Sequence, residues 1–344
     1  MGRRSGARGD AMRAVWLTGF GGPEVLVEGE APDPEPGPGQ ALVEVAYANT
    51  TFVEAQYRRS GRGPFALRPP DIPGNGVGGV VTRVGPGADP DLVGRRVVAP
   101  TGGRGGYAER AAVGAAGAVV VPDGVPLDAA VGAAGAVVVP DGVPLDAAVA
   151  LLADGRTALL NLRAVGAAAG QRVLVLAAAG GVGTLQVQLA VAGGAVVVGA
   201  AGGPAKGEVV HGLGADEVVD YRSAGWASRV APVDVVLDGV GGDLARTAFD
   251  LIAPGGRMLS YGLAAGEWAD VDPARAAERG VTLVAGTRPT PGELRDLVAT
   301  ALRLAAEGAL RPVVGQRFPL ARAADAHAAV ESRATVGKTL LEVR

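Results

Sequence analysis

Residues 173–184 read Val173-Leu174-Val175-Leu176-Ala177-Ala178-Ala179-Gly180-Gly181-Val182-Gly183-Thr184, and the fold turns on them. Four consecutive apolar residues ahead of a run of small ones predict a strand buried on both faces that ends in a tight turn. Thr184 to Val191 predicts the helix that follows. Strand, glycine turn and helix in this order are the setting of the dinucleotide fingerprint G-x-G-x-x-G, with Ala178 in the first slot and Gly180 and Gly183 in the second and third. The second glycine lets backbone N–H groups approach a pyrophosphate, and the positive end of the helix favours the anion. The third allows the helix to lie close on the strand. A glycine turn with a purely structural purpose is the alternative; the flanking strand and helix favour nucleotide binding.

Downstream, Ala195 to Val198, Glu217 to Val219, Val233 to Leu237, Arg257 to Ser260 and Val281 to Val284 predict five more strands. Continuous apolar strands separated by helical segments predict a doubly wound parallel sheet in an α/β protein. An amphipathic helix is expected over Gly292 to Ala306, and a last strand over Thr339 to Val343. The second strand ends near Gly199-Ala200-Ala201-Gly202-Gly203, where an NAD site would place Asp or Glu against the ribose 2′-hydroxyl. No acid occurs before Glu208; Lys206 lies close by, and Tyr221-Arg222 follows the third strand. A cation and a phenol there suit a 2′-phosphate, so NADPH is the expected cofactor.

Upstream, from Met12 to about Val113, short apolar runs are broken by Gly and Pro, as in Ala41-Leu42-Val43-Glu44-Val45 and Arg96-Val97-Val98-Ala99. This is the pattern of a β-rich barrel. Residues 114–131 (GAAGAVVVPDGVPLDAAV) are repeated letter for letter at 132–149. Two copies make no solenoid, so one copy is expected to take a strand–turn–helix role and the other to be extruded as a loop. The domain expectation is a flexible extension over 1–11, a barrel-type catalytic domain over 12–149 containing the duplication, a nucleotide domain over 150–286, and a C-terminal segment over 287–344 that returns to the first.

Of 344 residues, 56 are Gly, 48% are hydrophobic and 4% aromatic, with no Cys and two His. Glycine exceeds twice its usual share of roughly 7%, without collagen periodicity or low hydrophobicity. The absence of Cys removes disulfides, thiolate catalysis and Cys-ligated zinc. A net charge of −3 gives no basic field for nucleic acid or anionic membrane. The N-terminal arginines precede no apolar run of a signal peptide, so the cytoplasm is the expected compartment. Only two lysines, Lys206 and Lys338, stand against thirty arginines. His211 and His327 lack metal-ligand spacing, the tail-like Gly337-Lys338-Thr339 lacks the rest of a phosphate loop, and no G-x-S-x-G elbow occurs. The chemistry is therefore expected to belong to a cofactor, as hydride transfer.

Further motifs give the chain a family resemblance. They are Phe20-Gly21-Gly22-Pro23-Glu24-Val25-Leu26, Pro73-Gly74-Asn75-Gly76-Val77-Gly78-Gly79, Gly105-Gly106-Tyr107-Ala108-Glu109, Asp238-Gly239-Val240-Gly241-Gly242 and Pro254-Gly255-Gly256-Arg257. With the glycine turn, they resemble the zinc-independent quinone oxidoreductase (zeta-crystallin-like) branch of the medium-chain dehydrogenase/reductases, from Met12 to Val343. The resemblance implies a GroES-like β-barrel domain beside a Rossmann domain with NADPH in the cleft, and a homodimer. Zinc-dependent relatives carry His-Glu where this chain has Asn75 and Gly76, so no metal is expected.

Carried over residue by residue, the cofactor set is Thr157, Ala179, Gly180, Gly181, Val182, Gly183, Gly203, Lys206, Tyr221, Gly239, Val240, Tyr261, Gly262, Leu263 and Lys338. On the substrate side the family's Val-Asn pair is Thr50-Thr51, its Asp is Glu54, and a Tyr two residues further is Gln56. Thr51, Gln56 and the adjacent Tyr57 are the catalytic candidates, Thr51 and Gln56 as hydrogen-bonding groups for a carbonyl oxygen, with water as the proton source. The implied activity is NADPH-dependent reduction of a small-molecule quinone or α,β-unsaturated carbonyl. An enoyl-thioester reductase and a non-catalytic NADPH-binding protein are the alternatives.

Overall fold

The computed structural model describes residues 11–115 and 137–344. It divides into two units. The first takes the described residues up to Leu152 together with Gln316–Thr335 and Thr339–Arg344; the second takes Ala153–Gly315 and Val336–Lys338.

The first unit begins with β1 (Ala11–Leu17) paired antiparallel to β2 (Leu26–Pro32), in register from Ala11 opposite Pro32 to Leu17 opposite Leu26. There follow β3 (Gln40–Thr50), the helix α1 (Phe52–Ser60), β4 (Gly76–Val84), β5 (Arg96–Pro100), β6 (Arg110–Gly114), β7 (Val137–Val138) and the start of α2 (Leu145–Val165). Strands β3 and β4 approach closely at a bulge, where a Cβ on Gly79 would overlap the Glu44 carbonyl. Cβ atoms on Gly76 and Gly78 would strike Leu152 and Val149 of α2. At these positions glycine lets β4 lie close to β3 and to α2. Val43, Val45, Val77, Val97 and Tyr107 lie in its buried core.

The second unit contains β8 (Arg172–Leu176), α3 (Gly181–Ala192), β9 (Val196–Ala201), α4 (Pro204–Gly212), β10 (Glu217–Asp220), β11 (Val233–Asp238), α5 (Gly242–Phe249), β12 (Ile252–Ser260), α6 (Pro273–Glu278), β13 (Thr282–Leu283) and α7 (Pro291–Ala306). The strands are parallel in the order β10-β9-β8-β11-β12-β13. That is the Rossmann order, whose switch point falls between the first and fourth strands of the unit, β8 and β11. Alternate residues of β8 enter different clusters, Val173 and Val175 on one face and Leu174 and Leu176 on the other. Both faces are covered, as continuous apolar strands require.

The chain then returns through β14 (Val314–Pro319), α8 (Ala323–Glu331) and β15 (Lys338–Glu342). The mixed sheet runs β14-β15-β3-β4-β5-β7, with β6 also on β3. The expected fold class is observed: a GroES-like unit with a Rossmann unit in an α/β protein.

Two expectations are sharpened. The second copy of the duplication supplies β7, paired with Val97 and Val98, and the first turn of α2. Of the first copy, the described residues are Gly114, which ends β6, and Ala115; residues 116–136 lie outside those described, as do residues 1–10 of the extension expected over 1–11, whose last residue, Ala11, opens β1. The Rossmann unit also extends to Gly315 instead of ending at 286, so α7 belongs with it. Gln188 of α3 donates to the carbonyl of Arg311, within that extension, and accepts from its N–H, both at 2.9 Å. Among the described residues, no helix is long and apolar enough to cross a membrane.

Candidate active site

In the Rossmann unit, β8 ends at Leu176 and Ala177 takes a left-handed conformation, φ 50°. This residue, one before the slot expected for the first glycine, makes the tight turn. Gly180 is the extended N-cap of α3 with no side-chain cap, and the helix begins at Gly181, three residues before the predicted start. A Cβ on Gly183 would overlap the Ala177 carbonyl oxygen, and one on Gly181 would overlap Asp154 Oδ2. The first N–H groups of α3 are thus left without a side-chain cap beside a backbone that only glycine permits. These residues fit a pyrophosphate.

Ala179, Gly180 and Val182 stand in this turn as expected. Asp154 and Lys338 lie beneath it: Lys338 Nζ is 3.1 Å from Asp154 Oδ1, the two side chains 4% and 11% exposed. Lys338 was expected as a direct cofactor ligand; it pairs with Asp154, which the sequence did not single out. The Ala179 carbonyl accepts from Gly337 N–H at 2.7 Å, fixing the segment before β15 against the turn. Thr157, on α2, donates its hydroxyl to the Ala153 carbonyl at 2.7 Å.

At the end of β9, Gly202 and Gly203 lead into α4, which carries Lys206 in its first turn. A Cβ on Gly202 would stand 2.9 Å from Arg222 Nε and 3.0 Å from Tyr221 Oη. Asp220 Oδ1 accepts from Gly203 N–H at 3.0 Å and Arg222 N–H at 2.9 Å, tying the two loops together.

The loops after β11 and β12 meet over a buried carboxylate. Asp238 Oδ1 accepts from the N–H groups of Val240 (2.8 Å) and Gly241 (2.9 Å), and Ser260 donates to Oδ2 at 2.8 Å. Burial raises its pKa, and those three hydrogen bonds oppose the rise. The Tyr261 phenol, its pKa raised first by burial and then by the charge of Asp238, donates to Gln186 Oε1 at 3.0 Å. A Cβ on Gly262 would stand 2.7 Å from the Gly239 carbonyl, so Gly239, Val240, Tyr261, Gly262 and Leu263 form one close-set rim.

The GroES-like unit holds the substrate-side candidates, two of which the structure engages in hydrogen bonds of its own. Thr51 is the N-cap of α1: its hydroxyl donates to Glu54 Oε2 at 2.7 Å and accepts from Glu54 N–H at 3.2 Å. In this arrangement its one proton goes to Glu54. The signal was present as the capping box Thr51-Phe52-Val53-Glu54. Tyr57 is a core residue: its hydroxyl donates to the Leu67 carbonyl (3.1 Å) and accepts from Leu67 N–H (2.9 Å), and its ring meets Phe20 and Phe65 edge-on. Gln56 is half-buried on the outward face of α1, with Phe52 and exposed Val53 one turn before it. Glu54, buried beneath that face, also accepts from Asn75 N–H at 2.8 Å.

Behind Glu54 runs a polar network that the sequence did not disclose. Tyr107 Oη lies 2.9 Å from His327 Nε2 and 3.4 Å from Thr50 Oγ1. Burial, then the charge of Glu54, raises the Tyr107 pKa well above the ordinary phenol value. Burial, then the charge of Arg58, pushes His327 down to about 3. Arg58 reaches Glu331, one turn beyond His327, and this ion pair joins α1 to α8. Among the described residues, no three His, Asp or Glu side chains group as a metal site, and the chain has no Cys.

A doubly wound sheet with a glycine turn at its switch point, joined to a GroES-like unit, defines a class of nucleotide-dependent oxidoreductases. Residues 37–123 match the family model described as alcohol dehydrogenase GroES-like domain, and 213–341 the one described as zinc-binding dehydrogenase. The quinone oxidoreductase of Pseudomonas aeruginosa is 31% identical over 343 residues, 96% of this chain and 99% of the relative. The 2-haloacrylate reductase of a Burkholderia species is 30% identical over 340 residues, covering 93% and 96%. A mycobacterial protein solved in complex with NADPH is 33% identical, with a TM-score of 0.81 over 96% of this chain and 99% of that one. The chain belongs to the quinone oxidoreductase branch of the medium-chain dehydrogenase/reductase family, and it is an oxidoreductase.

Proposed function

We propose that the chain is a zinc-independent, NADPH-dependent reductase of quinones or α,β-unsaturated carbonyl compounds. The observation that carries the cofactor half is the end of β9, where Arg222 and Tyr221 reach the Gly202 backbone and Asp220 is held by two backbone N–H groups. Asp220 Oδ1 is taken by loop N–H groups, whereas a 2′-phosphate finds a cation and a phenol. When bound, NADPH supplies the hydride. Backbone N–H groups of Gly180 to Gly183 hold the pyrophosphate, Lys206 and Tyr221 the 2′-phosphate, and the rim from Gly239 to Leu263 the nicotinamide ribose.

On the substrate side, Gln56 is the side chain with protons to donate, and its carboxamide orients the acceptor oxygen while Phe52 and Val53 offer an apolar shelf. An amide releases no proton at neutral pH, and the protons of Thr51 and Tyr57 are engaged, so water completes the reduction. Relatives named for quinones and for a haloacrylate support an electron-poor, conjugated acceptor. Titration of the protein with each cofactor tests the reading: NADPH binds at least about tenfold tighter than NADH, roughly 1.4 kcal/mol. Equal affinities would sink it.

A further inference from the structure

The geometry points to Arg222 as a specificity-determining residue of the cofactor site: with the Tyr221 hydroxyl, its guanidinium grips the phosphate that distinguishes NADPH from NADH. This rests on the NADPH reading above and adds to Lys206 and Tyr221 a residue that decides more than either.

Four observations place Arg222 there. Its Nε lies 2.9 Å from where a Cβ of Gly202 would be, and its Nη1 3.7 Å from that of Gly203, so the guanidinium lies along the last residues before α4. In a doubly wound dinucleotide site, the end of the second strand is where the substituent on the ribose 2′-carbon is read. The backbone under Arg222 is fixed, because Asp220 Oδ1 bridges Gly203 N–H and Arg222 N–H. Arg222 is exposed, and its guanidinium makes no ion pair among the described residues.

A guanidinium presents parallel N–H donors that match two phosphate oxygens at once, and its charge persists at any physiological pH. The ammonium of Lys206, on a flexible stem in the first turn of α4, offers a point charge instead. Arg222 should therefore carry the larger share of the discrimination. Replacing Lys206 and Tyr221 together, as Lys206→Ala with Tyr221→Phe, leaves a residual preference for the 2′-phosphate that Arg222→Ala removes.

The experiment is calorimetric titration of the full chain with 2′,5′-ADP and with 5′-AMP, which differ by that phosphate alone. The parent binds 2′,5′-ADP tighter. Arg222→Ala weakens 2′,5′-ADP by about tenfold or more and leaves 5′-AMP unchanged, and Arg222→Lys recovers only part of the loss. Parent-like affinity of Arg222→Ala for 2′,5′-ADP overturns the assignment while the NADPH reading stands. A variant that loses both ligands alike shows a loop-supporting role and also overturns it. Equal affinity of the parent for the two ligands removes the NADPH reading and this assignment with it.

Discussion

Lys338 Nζ lies 3.1 Å from Asp154 Oδ1 across 184 residues of chain, and the other oxygen of that carboxylate lies against Gly181 in the first turn of α3. An uncompensated carboxylate there would occupy the positive helix end and repel a pyrophosphate; the lysine neutralises it. Lys338→Met should therefore cost about 3–5 kcal/mol of stability in urea denaturation, because it strands a buried charge. It should also weaken NADPH binding. Asp154→Leu with Lys338→Met should regain most of the stability, since two apolar groups leave no charge unpaired.

The glycines of the same turn differ in what stands beside them. A side chain at Gly183 meets backbone, the Ala177 carbonyl and Ala178 Cα, whereas one at Gly181 meets the end of a side chain. Backbone cannot step aside, whereas the Asp154 carboxylate can shift at some cost to its pairing with Lys338. Fluorescence titration with NADPH should show Gly183→Ala weakening binding about tenfold more than Gly181→Ala.

Tyr57→Phe distinguishes a core residue from a proton donor. It leaves the Leu67 N–H without its acceptor and should lower stability by about 1–3 kcal/mol. The turnover number at saturating substrate should stay that of the parent. A collapse of turnover at unchanged stability would return Tyr57 to the chemistry.

The fold of the Rossmann unit was legible because its strands are continuous apolar runs: β8 and β11 fall within a residue of where those runs predict them, and β9 starts within one and runs three residues further. The glycine turn was legible for the same reason, since its spacing is local. What escaped was pairing over long sequence distance: Asp154 with Lys338, and Tyr107 with His327. Nothing within a window of neighbours marks Asp154 as the partner of a lysine on the last strand. Tyr57 shows the converse, because its neighbours place it beside Gln56 on α1 while the helix turns it inward toward Leu67. Thr51 was within reach, since its capping box is a local pattern that accounts for its proton.

His327 gives the fold an acid-sensitive element. Burial holds its pKa near 3, with Arg58 adding to the effect, whereas an unfolded histidine titrates near about 6.5. Between these values the unfolded chain binds one more proton than the folded one, so stability is lost as pH falls, by up to about 1.4 kcal/mol per pH unit. His327→Gln should flatten that part of the stability profile between about pH 6.5 and pH 4. An unchanged slope would place the acid sensitivity elsewhere.

Reduction of an electron-poor acceptor at the expense of NADPH is tested most directly by single-turnover mixing. Protein loaded with NADPH is mixed with a panel of quinones and enones, beside the Gly183→Ala variant and a protein-free control. Loss of the reduced-nicotinamide absorbance faster than in both controls, with at least one quinone or enone, is the predicted result. NADPH that stays bound and unreacted across the whole panel would contradict it and identify a cofactor-binding protein without turnover.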